Sequence, residues 1–222
     1  MIARALLGVL IIVGLASLSV LALRRGFVSR LDRLEASTRE ADTPRNARSD
    51  LPPAVLALAQ RTGARTRGAS TSAVFEQTGQ MWRTPGGHPM DFTARQTVNI
   101  NTAQFVWRAT MGPGGIVVVA DYLVGGTGGL EVRAFGAIPL ARAVGGVGMN
   151  RGEALRYLAE LPWNPDAILS NRSLDWTVVG PRELRVATGV GPARGEVTFE
   201  LDGSGLIVRA KAATERFIPF ER

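Results

Sequence analysis

The sequence predicts an α+β fold that is mostly β: a curved antiparallel sheet (a half-barrel or open barrel) with helices covering its concave face, preceded by a transmembrane helix. Three observations predict it. An uncharged apolar segment opens the chain, many short β-type segments are separated by glycine turns, and one clear helical segment interrupts them. Short glycine turns join antiparallel strands, because parallel strands need crossovers of about a dozen residues or more.

The N-terminal segment, residues 1–25, is predicted to be a retained transmembrane anchor. Ala5 to Leu23 is a run of nineteen residues without a charge, flanked by Arg4 and by Arg24-Arg25. A helix of that length spans about 28 Å, close to the hydrocarbon thickness of a bilayer. A cleaved signal peptide is the alternative, but its apolar part usually has only about 7–15 residues.

An arginine-rich stem is predicted over residues 26–50, followed by a single globular domain over residues 51–222. The chain has a net charge of +7, and residues 24–67 hold ten arginines against five acidic residues. Basic residues beside a membrane attract anionic headgroups by about 1 kcal/mol each, so membrane lipid is an expected partner of the anchor and stem. Nucleic acid is not an expected partner, because the rest of the domain is nearly neutral.

The β-type segments define nine candidate strands. They are residues 72–82, 91–101, 104–111, 116–124, 130–138, 173–179, 183–189, 196–201 and 206–213. A helix interrupts them, with Asn150 as its predicted N-cap and Glu153 completing a capping box. Nine strands in a flat sheet would leave two open edges, so a curved sheet covered by helices is expected.

Several local patterns carry a family resemblance. They are Trp82 with Phe92-x-Ala94-x-Gln96, Phe105-x-Trp107, Asp121-Tyr122 followed by Gly125 and Gly128, Arg151-Gly152-Glu153-x-x-Arg156-x-x-x-Glu160-x-x-Trp163-x-Pro165, Leu174-x-Trp176, and Phe199-x-x-Asp202-x-x-Gly205. Together, from about Leu51 to Arg216, they resemble a bacterial domain-of-unknown-function family of membrane-tethered or exported proteins. That resemblance implies no particular activity, and it implies a short C-terminus because family members continue further.

The order of helix, strand meander, helix and strand meander also resembles the half-barrel of periplasmic lipoprotein carriers. The expected location is therefore the bacterial cytoplasmic membrane, crossed once. Five arginines follow the apolar run and one precedes it, so the positive-inside rule places the domain in the cytoplasm. The carrier resemblance favours the opposite side, and the sequence leaves the two alternatives open.

Six residues are candidate ligand-binding residues: Trp82, Trp107, Asp121, Arg156, Glu160 and Trp163. Arg156 and Glu160 lie one helical turn apart, either as a salt bridge on the helix surface or as a partly buried pair at the rim of a cavity. Asp121 ends an apolar strand and could face that rim. The tryptophans either pack in the core or line an apolar pocket.

No catalytic residue, metal ligand or cofactor is predicted. The chain has no cysteine and one histidine, His88, in a loop. This argues against thiol nucleophiles, zinc–thiolate sites and histidine-based triads. The glycine runs lack the spacing of a phosphate-binding loop, so they are interpreted as turns.

These observations favour a membrane-anchored, non-catalytic binding module whose ligand is a lipid or another apolar molecule. The alternative is an envelope scaffold that binds a protein partner through an exposed strand edge, which a short C-terminus would leave open. An enzyme is the least favoured class.

Overall fold

Over its described residues, the chain folds into one long helix, two large antiparallel sheets and three shorter α-helices. The computed structural model describes residues 2–40, 45–68, 70–82, 84 and 86–212. The expected short C-terminus falls in residues 213–222, outside the described residues.

The long helix, α1 (Ile2–Arg39), runs without a break through the apolar segment and most of the predicted stem. Its apolar part is exposed, with Leu10 at 68% and Leu18 at 64%. Within the described residues it is the one helix that is long and apolar enough to cross a membrane. A signal sequence near the N-terminus passes the same test of length and composition, so α1 fits either a single-pass anchor or a signal sequence.

Three small elements follow α1. Strand β1 (Arg45–Asn46) pairs with β2 (Arg67–Gly68), and helix α2 (Pro53–Arg61) lies between them in the chain. Proline at the first position of α2 suits a helix start, because its missing N–H has no partner there in any helix. The apolar side of α2 is buried in the domain core.

The larger sheet has six strands in chain order, each antiparallel to the next. They are β3 (Ser72–Trp82), β4 (Pro89–Asn99), β5 (Phe105–Met111), β6 (Val117–Val124), β7 (Thr127–Ala134) and β8 (Ile138–Val144). In the β6–β7 hairpin, Gly125 and Gly126 have φ angles of 57° and 77°. Both central residues of such a two-residue turn need positive φ, which glycine adopts readily.

The smaller sheet follows two further helices, α3 (Val147–Ala159) and α4 (Pro165–Ser170). Its strands are β9 (Asp175–Gly180), β10 (Glu183–Thr188), β11 (Gly195–Leu201) and β12 (Ile207–Ala212). They also form an antiparallel meander, in the order β12-β11-β10-β9. Helix α3 packs on β6 and β7 of the larger sheet and on β10 and β11 of the smaller one.

Both faces of the larger sheet are covered along its central strands. Along β6, Val119, Asp121 and Leu123 face α3 and the main core, whereas Val118 and Ala120 pack against α1. This alternation follows from the two-residue period of a strand. The sheet therefore lies between the second half of α1 on one face and α3 with the smaller sheet on the other.

The structure confirms the predicted fold class, an α+β protein with antiparallel sheets, helices and an apolar N-terminal helix. The described strands do not close a barrel, since β3 and β8 remain unpaired edges. Two element predictions were wrong. The predicted strand 130–138 is two strands, β7 and β8, joined by a tight turn, and α3 begins at Val147 with Gly146 as its N-cap.

Candidate functional site

Arg156, on α3, is the centre of a buried polar network. Its guanidinium donates a hydrogen bond from Nη1 to Asp121 on β6, and its Nε lies 2.9 Å from Oε1 of Glu160. Arg156 and Glu160 meet because residues four apart lie on the same face of a helix. Asp121 meets them because it occupies a core-facing position of β6.

Two aromatic rings pack against the same guanidinium. The Cζ atom of Arg156 lies 5.0 Å from the ring centres of both Phe105 and Trp107, which are neighbouring core-facing residues of β5. An arginine at this distance from an aromatic face is attracted by the negative charge on the face of the ring, and burial strengthens the attraction.

Two glutamines close the network into a ring of contacts. Gln96 on β4 donates to Oε2 of Glu160 at 2.5 Å, and Gln77 on β3 donates to Oε1 of Gln96 at 3.2 Å. The indole N–H of Trp107 then donates to Oε1 of Gln77 at 2.7 Å. The network thus connects β3, β4, β5 and β6 to a single face of α3.

The network keeps Arg156 charged. Burial alone would lower the pKa of Arg156, but the nearby Asp121 and Glu160 carboxylates outweigh it, and the pKa is raised above its ordinary value. A permanently charged guanidinium cannot exchange protons near neutral pH. The arrangement is therefore suited to fixing elements in place rather than to acid–base chemistry.

The network encloses almost no free space. The cavity beside it, lined by Gln96, Glu160 and Trp163, has a volume of about 10 Å³. That is room for about one water molecule. Of the six candidate residues, Trp107, Asp121, Arg156 and Glu160 come together here, and Trp163 is 58% exposed at the edge. Trp82 is not part of the group, since it lies at the far end of β3 and is 52% exposed.

Gln77, Gln96 and Phe105 complete the network but were not among the candidate residues. A signal for the two glutamines exists, because each occupies a core-facing position of an alternating strand. A polar side chain on the apolar face of a strand needs a hydrogen-bond partner inside the domain.

An open cleft of about 530 Å³ lies beside this network, and we call it the inter-sheet cleft. It is lined by the β5 and β6 ends of the larger sheet, by α3, and by the loops around β9 and β10. Leu123 and Ala154 form an apolar part of the cleft wall, and Arg172 and Asp175 place charged groups on it. Asp121 and Arg156 each lie two residues from one of these wall residues, so their ion pair joins the two elements that form the wall.

The described residues contain no group of three or more histidine, aspartate or glutamate side chains placed to hold a metal ion. His88 is exposed before β4, away from the cleft and the network.

Comparison with known families identifies the domain. The model of a family of unknown function, DUF6544, matches residues 42–221. The chain belongs to DUF6544. No curated protein and no solved structure matches it. The DUF6544 match contains both the Arg156 network and the inter-sheet cleft, whereas α1 precedes it.

Proposed function

We propose that this chain is a single-pass protein of the bacterial cytoplasmic membrane whose domain binds an amphipathic ligand without transforming it. The observation that carries the proposal is the inter-sheet cleft, whose volume of about 530 Å³ falls within the range of small-molecule sites. The residues of the Arg156 network, by contrast, surround a space of about 10 Å³.

The chemistry of the cleft favours a ligand with an apolar part and an anionic group. Leu123, Ala154 and the 83% exposed Val190 offer apolar surface. Arg172 is an exposed cation on the same cleft, whereas Asp175 is engaged by Arg194 at 2.7 Å. A fatty acid or related lipid combines the two chemical features.

Binding of a fluorescent fatty acid to the full chain in detergent tests the proposal. Val190→Asp places a charge on the apolar wall, and we expect the affinity to fall by roughly tenfold, about 1.4 kcal/mol. Val208→Asp is the matched control, because Val208 is also exposed but lies on β12 outside the cleft lining. Equal affinities of the two variants, or a purified chain that neither carries lipid nor binds the probe, would refute the proposal.

The charged part of the ligand has its own test. Arg172→Ala is expected to weaken binding of the fatty acid but not binding of its uncharged methyl ester, because only the acid has a carboxylate that can pair with the guanidinium. Arg182→Ala, an exposed arginine outside the cleft lining, should change neither affinity.

A second candidate function is a scaffold that binds a protein by strand addition. It is favoured by β9, an edge strand whose Val178 and Val179 are 47% and 44% exposed. An unpaired edge offers backbone groups to an extended segment of another chain. Crosslinking at Val179 in intact membranes should then trap a protein partner, and a proline there should abolish the product. A crosslinked product that persists with the proline would contradict strand addition.

A further inference from the structure

The anchor leaves the domain at a defined place, the turn between β7 and β8. A Cβ atom placed on Gly136 in that turn would lie 3.3 Å from Cγ of Arg24, so α1 passes directly beside the turn. Further along α1, Thr97 on β4 donates to Glu35 at 2.7 Å, and Asn99 donates to the backbone oxygen of Thr38 at 2.7 Å. The helix therefore crosses the sheet towards its opposite end, and the apolar segment before Arg24 projects beyond the turn.

The strand register shows what else lies at this end of the larger sheet. Trp82 pairs with Pro89, Met111 with Val117, and Ala134 with Ile138. The paired ends of β3 and β4 and the β5–β6 and β7–β8 connections therefore lie together with the exit of the anchor. We call this the anchor end of the sheet.

Large apolar side chains are exposed along the anchor end. They are Met81 at 39%, Trp82 at 52%, Ile116 at 42%, Phe135 at 52% and Ile138 at 46%. Val74, Leu140 and Val144 are also exposed on the sheet, but its two exposed aromatic side chains both lie at the anchor end. Arg24 and Arg25 are exposed on the adjoining turn of α1. Tryptophan and phenylalanine beside basic residues are typical of protein surfaces that lie at the boundary between lipid headgroups and acyl chains.

Phe135 is held outwards in an unfavourable backbone conformation. It has a φ of 54°, and it is the one residue other than glycine with positive φ among the described residues. Ala137 donates to the Ala134 oxygen at 2.9 Å, which makes Phe135-Gly136 the centre of a tight turn. Asparagine or glycine ordinarily occupies the first central position of such a turn, and a bulky side chain there persists only when other contacts impose it.

The turn is also tied to α1. The guanidinium of Arg133 lies 4.4 Å from the ring centre of Phe27 on α1, and it donates to the Ala137 oxygen at 3.2 Å. The position of the exposed Phe135 is thus fixed relative to the helix that enters the membrane.

We propose that the anchor end of the larger sheet lies in the interfacial region of the membrane, with Trp82 and Phe135 inserted among the lipids. The inference rests on the proposed membrane anchor and adds a second, lateral contact of the domain with the bilayer. The inter-sheet cleft, at the opposite end of the sheet, then faces away from the membrane surface.

Fluorophores on single cysteines can measure this contact, because the chain contains no cysteine. The full chain is reconstituted in vesicles of equal parts phosphatidylcholine and phosphatidylglycerol that contain a spin-labelled lipid quencher. Labels at Trp82→Cys and Phe135→Cys should lose most of their fluorescence to the lipid quencher and little to aqueous iodide. The control Val74→Cys, also exposed but near the opposite end of β3 and outside the cleft, should behave in the opposite way.

A label at Leu15→Cys, within the apolar segment, separates this inference from the proposed anchor. Quenching at Leu15 without quenching at Phe135 would overturn the membrane contact and leave the anchor standing. Absence of lipid quenching at both positions would overturn both. A Phe135 label shielded from lipid and iodide alike would mean that another protein surface covers the anchor end, which also contradicts the inference.

Phe135→Gly provides a second measurement that a misfolded variant could not imitate. Glycine accepts the positive φ, so the variant should unfold at a higher temperature in detergent than the unaltered chain. In vesicles it should nevertheless reduce lipid quenching of a label at Trp82→Cys, since one of the two inserted aromatics is gone. Higher stability with unchanged quenching would contradict the role of Phe135.

Discussion

At the scale of single residues, Arg156 makes two ion pairs and two aromatic contacts inside the domain. It joins α3 to β5 and β6 through one ion pair with Asp121 and two aromatic faces, and a second ion pair with Glu160 braces it within α3. A buried charge is tolerated only while its partners stay in place. Loss of the guanidinium would therefore affect several elements at once.

Arg156→Met tests this role. Methionine fills a similar volume but leaves the buried Asp121 carboxylate without the guanidinium, so the free energy of unfolding should fall by about 3–5 kcal/mol. Denaturant unfolding of the full chain in detergent measures the loss. Arg185→Met is the control, because the Arg185 side chain is 41% exposed and its ion pair with Glu196 should contribute less than about 1 kcal/mol. Similar losses in both variants would contradict the central role of Arg156.

The two tyrosines of the chain predict how stability depends on alkaline pH. Burial raises the pKa of both Tyr122 and Tyr157 above the ordinary value of 10.0. Below that pH both phenols are neutral in the folded and unfolded states, and stability should not change through them. Above it the unfolded chain ionises first, so stability should fall as pH rises.

Tyrosinate absorbance is the corresponding measurement. Both tyrosines should have pKa values above 10 while the chain is folded, and Tyr157, whose pKa burial raises further, should ionise only with loss of near-ultraviolet circular dichroism. A gradual titration around pH 10 with the fold intact would contradict burial of the two phenols.

Part of the network could be predicted from sequence at this scale. Arg156 and Glu160 are four residues apart, so they lie on the same face of a helix. Asp121 is in phase with the core-facing residues of its strand, so the sequence predicts that the three side chains can meet. Trp82 was grouped with them by residue type alone, and residue type does not say at which end of a strand a side chain lies. The place of Gln77 in the network depends on the pairing of β3 with β4, and that pairing is a long-range property.

At the scale of elements, the docking of α1 distinguishes this molecule from a domain on a flexible tether. Phe27 and Leu31 are buried against Ala120. Glu35 accepts from Thr97 and pairs with Arg108 at 3.3 Å. The segment predicted as a stem thus supplies a layer of the structure.

Leu31→Ala should lower the free energy of unfolding by about 2–5 kcal/mol, the usual loss for a buried leucine. Arg33→Ala on the exposed side of α1 is the matched control and should change it by less than about 0.5 kcal/mol. Hydrogen exchange of β6 amides should also rise in the first variant only. A Leu31→Ala chain as stable as the control would mean that the domain holds together without α1.

Gly129, in the β6–β7 hairpin, has no room for an added methyl group. A Cβ on Gly129 would lie 2.3 Å from the Tyr122 ring. Gly129→Ala should therefore destabilise the chain by about 1–3 kcal/mol or more through overpacking, as measured by thermal unfolding. Gly203→Ala has open space and is the control. If the two variants unfolded at the same temperature, the close approach of Gly129 to Tyr122 would be disproved.

The two misplaced elements have physical explanations. Pro139 lies within β8 and argues against a strand, but β8 is an edge strand, where a missing N–H is tolerated. Asn150 resembles an N-cap, yet its side chain accepts a hydrogen bond from the Gly128 amide on β7 at 2.9 Å. Tertiary contacts extend α3 back to Val147, despite the low helix propensity of Gly148.

At the scale of the whole molecule, fold class was predictable because turn chemistry is local. Glycine-rich connections require neighbouring antiparallel strands, and both meanders follow from that rule. The division into two sheets, the use of α1 as a covering layer and the position of the cleft depend on distant contacts, and no local pattern encodes them.

The arginines that follow the apolar segment predict the side of the domain. By the positive-inside rule, a C-terminal green fluorescent protein fusion should fluoresce, and a C-terminal alkaline phosphatase fusion should be inactive. The opposite pair of results would place the domain outside the cytoplasm and strengthen the comparison with periplasmic lipoprotein carriers. Equal expression of the two fusions by immunoblot is the control.

Because α1 is continuous, it also fixes the rotational orientation of the domain about the axis of the anchor helix. Only Arg24, Arg25 and Gly26 separate the apolar segment from the docked Phe27. Each residue inserted there would turn the domain by about 100° about the helix axis and move it along that axis by about 1.5 Å. If two such anchors lay side by side in a membrane, the rotation of each helix about its own axis would therefore determine which face of its domain points towards the neighbouring domain.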